Sequence, residues 1–217
     1  MRARLVGVAA LAVVFVAMTA AVSAGAFSTL DIQVATATHS IWLGSLHGLF
    51  QGIAELGGLE WTSLLMIGLG AYLWRGGFGS DALVVVAFVG AQVLEVIYKE
   101  LFHHPGPPLA LAHADGPSVT TVFATVAGAG NSFPSGHMVR TVLVYGLLAF
   151  VVRRLSTSRV ARVAATPLAI AIVILIAFDR LYLDVHWESD VVGGVLLGAI
   201  ALLAATVWLD RPRKADN

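Results

Sequence analysis

The chain has 217 residues, of which 58% are hydrophobic and only 12% are charged, whereas about 25% of the residues of an average soluble domain are charged. This composition excludes an ordinary soluble domain and predicts a polytopic membrane protein. The formal net charge is zero, which favours neither a nucleic-acid partner nor a polybasic tail. The chain has no cysteine and therefore no disulfide, thiolate chemistry or cysteine-bound metal.

Six stretches are apolar over the length that a membrane-spanning helix needs, which is about 20 residues. They cover approximately residues 5–26, 52–74, 81–98, 137–152, 163–180 and 190–208. We therefore predict an all-α fold with six transmembrane helices, in which residues 1–217 form a single domain.

The first stretch allows two interpretations. Arg2 and Arg4 precede it, and the small residues of 22–26 end it, as in a cleaved signal peptide. Its apolar part is about 20 residues long, whereas the apolar part of a signal peptide has roughly 7–15 residues. The length favours a retained first transmembrane helix over residues 1–26, and a signal peptide remains the alternative.

Residues 28–50 mix polar and apolar side chains and predict a helix at the membrane surface rather than a further span. Asp31 lies at the expected start of this helix and is a candidate N-cap. We interpret His39 and His47 as interface residues rather than ligands.

The basic residues predict the orientation of the chain and the location of a site. With six spans and a cytoplasmic N-terminus, Lys99, Arg140 and Arg180 lie near the extracytoplasmic ends of their helices, and the other ten basic residues lie on the cytoplasmic side. Basic residues on the extracytoplasmic side run against the usual cytoplasmic enrichment of Arg and Lys, and anion binding is the simplest explanation for them. The ten are Arg2, Arg4, Arg75, Arg153, Arg154, Arg159, Arg162, Arg211, Arg213 and Lys214.

A candidate anion site lies where the fourth apolar stretch begins, in Pro134-Ser135-Gly136-His137. Ser135 can cap this helix, and Gly136 lets a ligand approach the backbone closely. The free N–H groups and the positive end of the helix dipole attract anions. His137 adds a proton donor, so the motif combines an anion site with an acid.

A second group of polar residues follows the fifth stretch. Asp190 comes four residues after His186, which is about one helical turn, and can hold the imidazole in one tautomer. This pair marks His186 as a candidate nucleophile and leaves His137 as the general acid of a phosphoryl transfer. Around the phosphate oxygens, Lys99 and Arg180 would be the cations, and Ser135 and Gly136 the neutral donors.

These motifs resemble the signature of the type 2 phosphatidic acid phosphatase (PAP2) superfamily. That signature is Lys, six residues, Arg-Pro; then Pro-Ser-Gly-His; then Ser-Arg, five residues, His, three residues, Asp. The resemblance covers about residues 80–208 and extends to the six-span layout of the membrane-bound members. The matching positions are Lys99 with Gly106-Pro107, then Pro134-Ser135-Gly136-His137, then Asp179-Arg180 with His186 and Asp190.

The resemblance implies a membrane phosphatase that needs no metal or other cofactor and forms a phosphohistidine. His186 would attack phosphorus with Asp190 behind it, and His137 would protonate the leaving group. The implied substrates are lipid phosphates and diphosphates, including polyprenyl diphosphates such as undecaprenyl diphosphate, which enter from the surrounding membrane lipids. The outward site and the composition, which is typical of a GC-rich genome, suggest a bacterial cell membrane.

Two residues depart from the family pattern: Gly106 replaces an Arg, and Asp179 replaces a Ser. The first change removes a phosphate contact of the kind that contributes about 1.5–3 kcal/mol. Arg140, three residues after His137 on the same helix face, is a candidate replacement for that cation. Alternatively, Arg140 pairs with an internal acid such as Glu95 or Glu188.

Other functions also remain open from sequence. Gly106 favours a non-catalytic membrane protein that binds anionic lipid or scaffolds a partner, although the two histidines and Asp190 oppose it. A phosphotransferase would use the same site to pass the phosphoryl group to an alcohol.

Several residues outside the main motifs have simpler interpretations. Lys99 and Glu95 are spaced for a helical ion pair. His103, His104 and His113 have no carboxylate at a metal-ligand spacing, so we predict no metal site. The long loop 99–136 is expected to be functional. Close helix packing is predicted at Gly68, Gly70, Gly193, Gly194 and Gly198.

Overall fold

The computed structural model describes residues 2–108 and 131–211. Within these ranges the chain is helical, with one isolated β-bridge between Pro105 and Asn131 and no strand, so the all-α prediction is confirmed. Short 3-10 turns lie at Gly44–Leu46, Glu55–Gly57 and Gly79–Leu83. The α-helices are α1 (Arg2–Ser23), α2 (Ser28–Ser40), α3 (His47–Ala54), α4 (Leu59–Arg75), α5 (Val84–Leu101), α6 (Gly136–Leu155), α7 (Arg159–Tyr182) and α8 (Glu188–Leu209).

Five helical stretches in the described ranges are long and apolar enough to cross a membrane. They are Arg2–Ser23, Gly44–Arg75, Gly79–Leu101, Arg159–Tyr182 and Glu188–Leu209. The remaining predicted span corresponds to α6, a helix of 20 residues, which is not among these five. It lies in the centre of the bundle, where it packs against α4, α5, α7 and α8.

The first helix is part of this bundle. α1 packs along α8, and its residues Phe15, Met18 and Val22 belong to the main hydrophobic core. The Phe15 ring stacks on Phe133 with 6.0 Å between centroids. α1 therefore contributes to the hydrophobic core, and the retained-helix interpretation stays a prediction.

Glycines allow α6 and α8 to pack closely near the site. A Cβ atom on Gly194 would lie 2.5 Å from the carbonyl oxygen of Ser135, and one on Gly198 would lie 2.9 Å from that of Val139. Close helix packing is equally confirmed at Gly70, which faces Val85 of α5, whereas the near neighbour of Gly193 is the ring of Phe133, which precedes α6. The prediction was wrong for Gly68, which has no neighbour within 4 Å of such an atom, because helical periodicity does not reveal which face meets another helix.

The region predicted as one surface helix forms α2 and α3 with a turn between them. The prediction that Asp31 caps this helix was wrong. Asp31 is buried and accepts hydrogen bonds of 2.9 Å from both the backbone N–H and the hydroxyl of Ser189. It therefore satisfies an N–H group of the first turn of α8 instead. His39, at the other end of α2, lies 2.9 Å from Asp184, so α2 braces both sides of the loop before α8.

The charged residues separate to the two ends of the bundle. At one end, Arg211 lies 3.2 Å from Asp81, Arg154 lies 3.7 Å from the same carboxylate, and Arg4 pairs with Asp210. We call this the basic end, defined by Arg4, Arg153, Arg154 and Arg211. At the other end α5 and α7 finish and α6 and α8 begin.

Candidate active site

The predicted site residues meet where α5 and α7 end and α6 and α8 begin. The backbone N–H of Ser135 donates to the carbonyl oxygen of Asp190 (3.0 Å), which ties the start of α6 to the start of α8. On the α5 side, Glu95 lies against Gly136. The helices thus bring together the three predicted catalytic residues and the five predicted phosphate ligands, which are His137, His186 and Asp190, and Lys99, Ser135, Gly136, Arg140 and Arg180.

His186 and Asp190 form the hydrogen-bonded pair that their spacing predicts. His186 Nδ1 lies 3.4 Å from Asp190 Oδ2, and the same oxygen accepts a 2.9 Å hydrogen bond from the backbone N–H of Trp187. Asp190 is fully buried. A carboxylate that accepts the Nδ1 proton leaves Nε2 with its lone pair available to an electrophile.

The environment of His186 also sets its protonation. Burial lowers the pKa of the imidazole below its usual value, and the positive charges of Lys99 and Arg180 lower it further. The hydrogen bond and negative charge of Asp190 act in the opposite direction without cancelling the shift. The lowered pKa favours the neutral form of the His186 imidazole at neutral pH.

A second imidazole reaches Asp190 from the 103–106 segment, whose His103 or His104 was expected to help bind an anion if protonated. His104 Nε2 lies 3.4 Å from Asp190 Oδ1. The backbone N–H of Ser132 donates to the carbonyl oxygen of His104 (2.8 Å), and Trp187 Nε1 donates to that of Pro105 (2.9 Å). No local pattern signals this contact, since it depends on how the 103–106 segment docks beside α8.

A histidine metal site finds no support within the described ranges. They hold no group of three or more side chains arranged to bind a metal ion. His113 and most of the 99–136 loop lie outside the described residues.

Ser135 stands at the N-cap position of α6, but the expectation that its side chain caps the helix was wrong. The hydroxyl oxygen is buried and makes no hydrogen bond to any described residue. Leaving a buried hydroxyl unpaired costs about 1–3 kcal/mol. A ligand with acceptor oxygens at the start of α6 would satisfy it.

Gly136 is required because the Glu95 side chain lies against it. A Cβ atom at this position would lie 2.0 Å from Glu95 Oε1, so any larger residue would displace the Glu95 carboxylate. The Glu95 carboxylate is thereby held beside the first turn of α6, where unpaired N–H groups and the helix dipole favour negative charge.

Glu95 also bridges two of the predicted phosphate ligands. Lys99 Nζ donates to Oε1 (2.8 Å), and Arg140 Nη1 lies 3.3 Å from Oε2. Arg140 also donates from Nε to the carbonyl oxygen of Gly57 (3.0 Å), and its Nη2 lies 3.4 Å from His137 Nδ1. Arg140 was interpreted either as a replacement phosphate cation or as the partner of an internal acid. The geometry shows the second arrangement, with Glu95 as the acid.

Comparison with known proteins assigns this arrangement to a family. Residues 81–214 match the model of the PAP2 superfamily. The chain belongs to this superfamily.

The names of two curated relatives describe phosphatases that act on lipid phosphates. Phosphatidylglycerophosphatase B of Bacillus subtilis (strain 168) is 27% identical over 190 residues, which is 86% of each chain. A protein of Escherichia coli (strain K12), named provisionally as the undecaprenyl-diphosphatase YbjG, is 28% identical over 141 residues, or 64% of each chain.

Solved structures agree on the fold. The crystal structure of a transmembrane PAP2-type phosphatidylglycerolphosphate phosphatase from Bacillus subtilis superimposes with a TM-score of 0.79 at 25% identity, covering 94% of this chain and 96% of that one. The crystal structure of Aquifex aeolicus LpxE gives a TM-score of 0.61 at 20% identity, covering 82% and 95%, and supports the fold alone.

The first departure from the PAP2 pattern changes the surroundings of Arg180, a predicted phosphate ligand. Asp179, in place of the family Ser, accepts a 2.9 Å hydrogen bond from Arg180 Nε. Both side chains are fully buried. The carboxylate therefore fixes the guanidinium and compensates part of its charge.

The second departure leaves room beside the loop that carries His186. A Cβ atom on Gly106 would lie 3.4 Å from Ser132 Cβ and 4.0 Å from the carbonyl oxygen of Val185, which are ordinary contacts. A longer side chain at this position therefore meets no backbone obstacle at its base, and it would start next to the loop that carries His186.

Proposed function

We propose that this PAP2 protein hydrolyses a lipid phosphate or diphosphate, without a metal, through a phosphohistidine on His186. The observation that carries the proposal is the imidazole of His186, hydrogen-bonded to the buried Asp190 and kept neutral beside the cations Lys99 and Arg180. The printed names of both curated relatives support a lipid-linked phosphate as the substrate class.

In the proposed first step, Nε2 of His186 attacks phosphorus and the bond to the leaving oxygen breaks. His137, which takes up a proton when the anionic substrate binds, gives that proton to the leaving oxygen. Asp190 stabilises the positive imidazole ring that remains bonded to phosphorus. Lys99, Arg180 and the Ser135 hydroxyl would contact the other phosphate oxygens, where negative charge is concentrated in the transition state.

In the proposed second step, water replaces the histidine. His137, now neutral, accepts a proton from water as it attacks phosphorus, and the bond between phosphorus and Nε2 breaks. Inorganic phosphate leaves, and His186 and His137 return to their starting protonation states. An alcohol in place of water would turn the same cycle into phosphotransfer.

We further propose that α6 is the sixth membrane-spanning helix and that the site faces the extracytoplasmic side of a bacterial cell membrane. The separation of the basic end from the site end supports this orientation, because clusters of Arg and Lys favour the cytoplasmic side. A site at the membrane surface would let a lipid headgroup enter sideways while its chain stays in the bilayer.

The experiment that tests the function is phosphate release by the purified protein in detergent with EDTA. Phosphatidylglycerophosphate, undecaprenyl diphosphate and phosphatidic acid would be compared at equal mole fraction in the micelles. We expect release that persists in EDTA, and the ratio of rates identifies the preferred headgroup. Absence of release from all three by folded protein would favour the non-catalytic anionic-lipid-binding alternative.

The value of kcat/KM should decrease as the pH is lowered, with a midpoint below about pH 6.5, the ordinary pKa of histidine. The reason is that the pKa of His186 is lowered by burial and by Lys99 and Arg180, so its neutral, active form persists to lower pH. The measurement is kcat/KM against pH for a monophosphate and a diphosphate lipid. Substrate ionisation would give each substrate its own midpoint, whereas a midpoint common to both and above 6.5 would contradict the assignment.

Restoring the family cation by Gly106→Arg should raise kcat/KM by about ten- to a hundredfold, the effect of one charge-assisted contact of 1.5–3 kcal/mol. The position has room for a side chain beside Val185 and Ser132. Gly106→Gln is the matched control, since it adds a side chain of similar length without the charge. Equal rates in the two variants would mean that other groups already supply the missing charge.

A further inference from the structure

A cavity separate from the proposed active site lies towards the basic end. Its volume is about 760 Å³, within the range of roughly 300–1,000 Å³ typical of ligand pockets. α7 and α8 both pack on α6 but make few contacts with each other, which leaves a groove between them. One wall of the groove is apolar, with Val142, Ile170 and Leu202 among its residues.

The mouth of the groove is cationic. Its lining residues include Arg4, Arg153 and Arg154 against one acid, Asp210. Arg4 pairs with Asp210, and Arg154 is 3.9 Å from it. Arg153 donates to Thr166 Oγ1 (3.1 Å) and has no acid within ion-pair distance among the described residues. Because Arg154 also lies 3.7 Å from Asp81, the excess positive charge at the mouth is that of Arg153, at one end of the apolar groove.

Buried side chains close the groove towards the proposed active site. Met138, Ile176 and Val191 form a cluster of their own, and the first two are completely buried. Val173 and Val195 line the groove and pack against this cluster. An occupant of the groove is thus separated from the phosphate ligands at the start of α6.

We propose that this groove binds one anionic phospholipid from the membrane leaflet at the basic end, with its phosphodiester at Arg153 and Arg154 and an acyl chain along the apolar wall. The charge excess at the mouth favours an anionic over a zwitterionic headgroup, and the apolar wall is suited to a hydrocarbon chain. This binding site is separate from the proposed catalytic site and does not depend on the proposed activity.

The test is lipid retention by the full-length protein in detergent, measured by native mass spectrometry during titration with dioleoyl phosphatidylglycerol or dioleoyl phosphatidylcholine. We expect one phosphatidylglycerol to be retained at concentrations where phosphatidylcholine is not. Arg153→Gln should weaken this retention about fivefold, because one Arg near a membrane surface contributes about 1 kcal/mol to anionic-lipid binding. Arg162→Gln is the matched control, since it removes an exposed cation of the same end that lies outside the groove.

A second pair of variants tests the apolar wall. Ala169→Trp places a large side chain in the groove, whereas Leu168→Trp places it on the neighbouring exposed position of α7 that does not line the groove. Retention should be lost in the first variant and unchanged in the second. Equal retention of the two lipids would overturn the proposal. So would equal phosphatidylglycerol retention in Arg153→Gln and Arg162→Gln, or in Ala169→Trp and Leu168→Trp. Retention that survives both groove variants but is lost in Lys99→Gln would overturn it too, since it would place the lipid at the phosphate ligands.

Discussion

A His186→Ala variant is expected to release phosphate on the order of 10⁴- to 10⁶-fold more slowly than the unaltered protein, the range found when an enzyme loses its nucleophile or paired base. The structure gives the reason. His186 is the imidazole whose Nδ1 faces the buried Asp190, so in the proposed mechanism its Nε2 carries the reactive lone pair. Rates would be measured on the preferred lipid with EDTA present. His103→Ala serves as a matched control, because His103 is an exposed histidine of a nearby segment.

A second substrate would separate the proposed nucleophile, His186, from the proposed general acid, His137. A substrate with a good leaving group, such as p-nitrophenyl phosphate, needs little protonation of the leaving oxygen. It should therefore restore much of the activity of His137→Ala and none of that of His186→Ala. Rapid acid-free quenching with ³²P-labelled substrate should label the unaltered protein and not His186→Ala. Label that persists in His186→Ala and disappears in His137→Ala would reverse the two roles.

The parts of the site that follow from local spacing were predictable from the sequence. The Pro134-Ser135-Gly136-His137 motif does open a helix, and His186 and Asp190 do meet across one turn. The apolar stretches correspond to the long helices because the bilayer fixes their length. Local periodicity suffices where both partners lie within a few residues of each other.

The parts that depend on tertiary contacts were not predictable. Asp31 bonds to Ser189, 158 residues away, so its position near a helix start pointed to the wrong helix. His104 reaches Asp190 only because the 103–106 segment docks beside Trp187. Ser135 occupies the cap position without a capping bond.

The partner of Arg140 could not be chosen from the sequence either, since Glu95 and Glu188 were both within reach. The contact with Glu95 has a consequence for stability. Arg140→Gln would leave the carboxylate of Glu95 buried with Lys99 as its remaining cation, and would also remove the hydrogen bond from Nε to the carbonyl oxygen of Gly57. Breaking one side of a buried ion pair typically costs about 3–5 kcal/mol. We expect this loss in the free energy of unfolding, measured by denaturant or thermal unfolding in detergent, together with a large loss of turnover.

The double variant Glu95→Gln/Arg140→Gln decides how Arg140 acts. Two neutral side chains of similar size leave no buried charge unpaired at this pair, so most of the stability should return, with a coupling free energy of about 0.5–3 kcal/mol between the two positions. Arg75→Gln, at the exposed end of α4, is the control for removing a cation elsewhere. We predict that kcat/KM recovers along with stability, because the role of Arg140 is to neutralise the buried Glu95 carboxylate and not to contact the phosphate. If stability recovers while kcat/KM stays as low as in Arg180→Gln, Arg140 contacts the phosphate itself and supplies the charge that Gly106 lacks.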